Sequence, residues 1–182
     1  MMSRPTADNT VCLIVDFQER LMPALHDSMA CLNSSRIMLQ GLSALAVPLL
    51  LTEQYPKGLG KTVATIQELL PPDVKTIEKT RFSALIPEVA SELEKQRAEN
   101  IIILGAEAHV CVLQTVLDLQ AAGYQTYLPF ECTASRAAAN KTNALLQMQA
   151  CGAIVSNVES ILFQLLEDAQ HPAFKTISKL IQ

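Results

Sequence analysis

Residues 99–112 read ENIIILGAEAHVCV. The branched apolar run Ile101–Leu104 ends at Gly105, and Cys111 follows where a helical pattern begins. An unbroken run of this kind is expected of a strand buried on both faces of a parallel sheet. The hand-over from such a strand to a helix is where open α/β sheets bind ligands.

Working outward, the same pattern recurs. Thr10–Val15 (TVCLIV) predicts strand one, ending at Asp16, and a helix is expected over residues 28–45 with Ser28 as a candidate cap. Val47–Thr52 predicts strand two, with Pro48 near its start, where a missing donor is tolerated. Residues 53–61 (EQYPKGLGK) read as a loop, 62–70 as a short helix stopped by Pro71 and Pro72, and Val74–Lys79 as strand three. Ser83 is a candidate cap for a helix that has Pro87 in its first turn and runs to Arg97. After strand four, residues 109–122 predict a helix stopped by Gly123. Gln125–Leu128 and Ala153–Val155 predict strands five and six, with helices over 135–149 and 158–167. Strands alternating with helix-length connections imply a three-layer α/β/α sandwich around a parallel sheet. We read residues 1–182 as a single domain, with 168–182 a C-terminal helix or arm.

The 182 residues are enough for a core without disulfide or metal support. Net charge is −4 and no basic block occurs, which argues against a nucleic-acid surface; aromatics at 4% argue against base stacking. Leu42–Leu51 is too short to span a bilayer. The polar start carries no apolar targeting segment, and five scattered cysteines read as reduced thiols, so a cytoplasmic location is expected.

Three reactive side chains fall at strand ends: Asp16, Lys79 and Cys111. Taken singly, a strand-end Asp is often a loop anchor, a Lys a solvated charge, and a Cys in an Ala/Val/Leu-rich helix a core residue. Together they support one chemistry. A thiolate is the nucleophile, a helix N-terminus and Lys79 favour it, and Asp16 takes the thiol proton and returns it to a leaving group. Backbone N–H groups of the turn before the helix would hold an oxyanion.

Four segments carry a resemblance: Asp16-Phe17-Gln18, Thr52-Glu53-Gln54-Tyr55, Lys79-Thr80-Arg81-Phe82-Ser83 and Gly105-Ala106-Glu107-Ala108-His109-Val110-Cys111-Val112. In this order, at strand ends, they resemble the isochorismatase-like cysteine hydrolases over about residues 10–160, and most nearly the isochorismatase-domain-containing subgroup. The resemblance implies a six-stranded sheet of order 3-2-1-4-5-6 and an Asp16, Lys79, Cys111 catalytic triad. It also implies a non-proline cis peptide at Ala106–Glu107, which with Cys111 forms the oxyanion-binding turn, and a homo-oligomer, dimer or larger. The loop after strand two has neither His nor Asp, so no metal and no cofactor are expected, and nicotinamidase chemistry is demoted. The presence of Cys111 demotes isochorismatase chemistry. In the implied order, strand three lies about 10 Å from strand one, so Lys79 must lean across strand two; the small Thr52 permits this.

Phe17, Phe82 and Tyr55 are expected to wall a pocket for a small-molecule substrate, with Gln18 and Gln54 as polar contacts; the alternative for each is plain loop packing. His109 lies too near Cys111 in sequence to share its side of one turn, so it is assigned a structural or substrate-orienting role. Cys12, Cys31 and Cys151 read as buried apolar residues, and Cys132 is the rival nucleophile. The expectation is a metal-independent cysteine hydrolase of a small amide or acyl compound, proceeding through a thioester. The alternatives are a silent binding protein on the same fold and a redox-sensing thiol protein.

Overall fold

The fold was analysed in a computed structural model, which describes residues 4–182. In chain order the elements are β1 (Thr10–Val15), α1 (Ser28–Ala44), β2 (Leu49–Gln54), α2 (Pro56–Leu59), α3 (Ala64–Gln67), β3 (Thr76–Lys79), α4 (Pro87–Lys95), β4 (Asn100–Ala106) and α5 (Leu113–Ala121). There follow β5 (Gln125–Pro129), β6 (Thr133–Ala134), α6 (Ala138–Ala150), β7 (Ile154–Ser156), α7 (Val158–Leu166) and α8 (Phe174–Ile181). The sheet is parallel, with order β3-β2-β1-β4-β5-β7, and β6 pairs with the end of β4. The expected 3-2-1-4-5-6 order therefore holds for the longer strands, the predicted sixth being β7. What periodicity missed is β6, whose two residues are too few to show any.

Every residue of β1 and β4 is buried, which is why both read as unbroken apolar runs rather than as alternation. Side chains still alternate between faces. Val11, Leu13, Val15, Ile101 and Ile103 pack under α4, α5 and α6 with Val89, Leu93, Val116 and Met148. Cys12, Ile14, Ile102 and Leu104 face α1, α7 and α8, among Met38, Leu39, Leu42, Leu162 and Ile177.

The boundaries that moved have local causes. β2 starts two residues late and reaches Gln54, because Pro48 serves as an acceptor for Cys12 N–H (2.9 Å) rather than as a ladder donor. The helix expected at 62–70 shrinks to α3, since Thr62 is taken by Glu53, which accepts from Thr62 N–H (2.7 Å) and hydroxyl (2.8 Å). Ser28 does not cap α1: Asp27 holds that position at φ 54°, with no side-chain cap bond. Ser83 does not cap α4, which begins after Ile86; its hydroxyl accepts from Leu85 N–H (3.2 Å). None of the helices is long and apolar enough to cross a membrane, among the described residues.

Candidate active site

The register fixes where the strand-end side chains emerge. Val15 pairs with Thr52 on one side and Gly105 on the other, and Gln54 pairs with Lys79. Asp16, the next residue after β1, takes a left-handed backbone (φ 58°), a conformation Asp adopts more readily than most residues. This turns its carboxylate into the crevice above β2. Lys79 does lean across β2. Its Nζ lies 2.7 Å from Asp16 Oδ2, while Thr52 Oγ1 donates to Asp16 Oδ1 at 3.0 Å from the strand beneath.

The ion pair is sealed, both side chains being 0% exposed. A buried pair persists only when its remaining hydrogen-bonding capacity is satisfied. Here Lys79 Nζ also donates to Gln54 Oε1 (2.7 Å) and to the Phe82 (3.0 Å) and Arg81 (3.3 Å) carbonyls. The expected polar contact Gln54 is thus a brace for Lys79, and its amide nitrogen donates to the Thr80 carbonyl (2.8 Å).

Cys111 enters from the other side. After β4 the Ala106–Glu107 peptide is cis. The chain then makes one wide turn, Ala108–Val112, in which Val112 N–H donates to the Glu107 carbonyl five residues back (3.2 Å). The regular helix expected from His109 begins only at Leu113. Cys111, a residue 6% exposed, lies within electrostatic reach of both Asp16 and Lys79. The three strand-end residues are therefore brought together.

The electrostatics differ from the expected thiolate. Burial first, and the Asp16 charge second, push the Cys111 thiol up to about 12; Lys79 opposes this, and the Glu107 charge adds to it. Burial also raises the Asp16 carboxyl above its usual range, against the pull of Lys79. Both shifts favour the protonated thiol over a standing thiolate and make the Asp16 carboxylate a stronger base.

Several expected pocket residues serve otherwise. Phe17 is fully buried in the cluster on the opposite face from Cys111, so it is core rather than wall. Gln18 is fully buried and its amide is consumed by backbone: Nε2 donates to the carbonyls of Gln54 (3.0 Å) and Gly60 (2.7 Å), and Oε1 accepts from Gln54 N–H (2.7 Å). Tyr55 and Phe82 are exposed, 55% and 52%, beside Lys79 and its acceptors; Tyr55 and Lys79 border a cavity of about 350 Å³. His109 Nδ1 is 2.9 Å from Ser135 Oγ, and Nε2 is 3.5 Å from Glu107 Oε2. Cys132 is fully buried beside Cys31 and Cys12, its thiol raised by burial, which removes it as a rival at this site. Cys31, taken for core, also lines a cavity of about 410 Å³ between α1 and α6.

Sequence reasoning missed Arg136. Its Nε lies 3.0 Å from Glu107 Oε1 and donates to Oε2 at 3.1 Å. The signal was absent because β6, which delivers Arg136 to this place, was invisible. Among the described residues, no three His, Cys, Asp or Glu side chains are grouped to hold a metal ion.

Sheet order, helix layers and a polar cluster at the carboxyl edge of the strands define a doubly wound α/β protein with its candidate site at the topological switch point. The pattern of the Isochorismatase domain matches residues 10–160. The chain belongs to the isochorismatase family. It is 38% identical over 175 residues to isochorismatase domain-containing protein 1 of Salmo salar, covering 95% of this chain and 61% of that protein. It is 36% identical over 178 residues to the secreted isochorismatase effector Isc1 of Phytophthora sojae, covering 96% of this chain and 85% of the effector. Among solved structures, the MAR1 ribonuclease of Caenorhabditis elegans superposes with a TM-score of 0.94 at 35% identity, covering 98% of this chain and 92% of that one. One relative being secreted, family membership does not fix the compartment.

Proposed function

We propose that this protein is a metal-independent cysteine hydrolase of small amides or related acyl compounds, with Cys111 as nucleophile, Asp16 as proton carrier and Lys79 as the charge that keeps Asp16 ionised. The observation that carries this reading is the buried Lys79–Asp16 pair with the Cys111 thiol close enough to feel both charges. Asp16 takes the thiol proton as Sγ attacks the carbonyl carbon. The S–C bond forms, the C–N bond breaks, and the amine leaves with the proton from Asp16. Water then attacks the thioester, giving a carboxylic acid and restoring the thiol. A thiol at about 12 would be inert alone; coupling its deprotonation to attack removes the need for a standing thiolate.

The ribonuclease activity named for the nematode protein finds no support in this chain, whose net charge is −4 and whose aromatic content is 4%. A silent binding protein is the competing reading, favoured by the protonated resting thiol. An amide and ester panel followed by mass spectrometry, with Cys111→Ala as blank, separates the two. Turnover with a thioester adduct on Cys111 is expected; substrate loss equal in the variant, or absent from both proteins, overturns the hydrolase.

A further inference from the structure

β6 pairs with β4 in the register Gly105–Thr133 and Ala106–Ala134. Continued one step beyond the strands, this register sets Ser135 opposite Glu107, and Arg136 follows alongside the wide turn that carries Cys111. Contacts follow that placement: Ser135 on His109 (2.9 Å), Arg136 on Glu107 (3.0 Å) and Asn140 Nδ2 near His109 Nε2 (3.4 Å). Glu107 is only 8% exposed and its charge is felt by the Cys111 thiol, so the cluster borders the nucleophile.

Arg136 is held by one edge only. Its Nε is committed to Glu107, yet the side chain is 62% exposed, and its terminal nitrogens have no hydrogen-bond partner among the described residues. A guanidinium anchored through Nε presents its two terminal nitrogens as a fixed fork, the geometry that matches a carboxylate. Two positions on, α6 begins without a side-chain cap, its N-cap being Ala137. Its first N–H groups thus add no competing carboxylate and lend a favourable dipole to an anion held at Arg136. Glu107 is the acidic group against this guanidinium, and the Nε edge already absorbs it.

We propose that Arg136 is a substrate-binding residue that selects small amides or acyl compounds carrying a carboxylate. This rests on Cys111 as the nucleophile. The substrate carboxylate docks on the free fork of Arg136 while its acyl carbon meets Cys111.

The test needs no known substrate. Cys111 is alkylated with iodoacetate, which carries a carboxylate, and with iodoacetamide, its neutral counterpart, and labelling is followed by peptide mass spectrometry. Relative to the same ratio for glutathione, the iodoacetate preference at Cys111 is expected to be raised about tenfold, the order of one charge-assisted hydrogen bond. Arg136→Gln should return it to the glutathione value with a native circular-dichroism spectrum, and Arg136→Lys should restore it in part. If Cys111 labels readily but shows the glutathione ratio, or if Arg136→Gln leaves the preference intact, the carboxylate proposal is overturned and the nucleophile stands. If Cys111 labels with neither reagent while Cys151 does, both fall.

Discussion

At the residue scale, the site is one carboxylate serving two partners. Lys79 opposes the burial that raises the Asp16 carboxyl, and the Asp16 charge adds to the burial that raises the Cys111 thiol. Removing the Asp16 charge should therefore lower the thiol pKa while abolishing proton transfer. In Asp16→Asn, ultraviolet titration of the thiolate should put Cys111 below its value of about 12, while kcat/KM falls about 10²–10⁴-fold. A thiol unchanged or raised in this variant would contradict the arrangement. In the proposed mechanism the raised Asp16 carboxyl also sets the acid limb of the rate profile. Asp16 must be ionised to accept the proton, so kcat/KM should rise with pH through a midpoint above the ordinary carboxylate value, and that limb should vanish in Asp16→Asn. Lys79→Met leaves a buried carboxylate with no cation and should cost about 3–5 kcal/mol in urea unfolding. The sign with pH follows from the raised carboxyl. Neutral Asp16 is the tolerated form, so the variant's deficit should be smallest below the unfolded carboxyl pKa and grow as pH rises through the still higher folded value.

At the scale of elements, the position of Cys111 depends on how closely β4 approaches β1. Gly105 lies opposite Val15, and a Cβ there would stand 2.5 Å from the Val15 carbonyl oxygen and 2.7 Å from Val15 Cβ. Backbone cannot yield as a flexible side chain can. Gly105→Ala should cost about 1–3 kcal/mol, read as a melting temperature lower by about 2–4 °C per kcal/mol. It should also slow Cys111 labelling, because the wide turn hangs directly from this strand end. An unshifted melting temperature would show that the strands can part without penalty.

At the scale of the whole molecule, α8 closes the face opposite the site. Its Ile177 is fully buried among α1 and α7 residues. Ile177→Ala should destabilise by about 2–5 kcal/mol while leaving the Cys111 labelling rate per folded molecule unchanged, since the sheet lies between them. Large apolar side chains remain exposed elsewhere, Met29 at 67% and Leu146 at 61%. Whether they are covered by a second copy, as the expected homo-oligomer requires, is read by light scattering, which should give a mass above the 19.9 kDa of one chain.

While the strand order came from the family resemblance, the sequence by itself determined the parallel α/β class, the two-faced burial of β1 and β4, and the identity of Asp16, Lys79 and Cys111 as strand-end residues. These are local signals: apolar runs, helix-length connections and reactive side chains at their ends. Tertiary structure decided what depends on distant neighbours. Phe17 and Gln18 became core and clamp because residues far along the chain surround them. The thiol pKa went up rather than down because burial and the Asp16 charge outweigh Lys79, and neither can be read from spacing. Arg136 reached the site through a strand of two residues, too short to leave a pattern and made only by pairing with the end of β4.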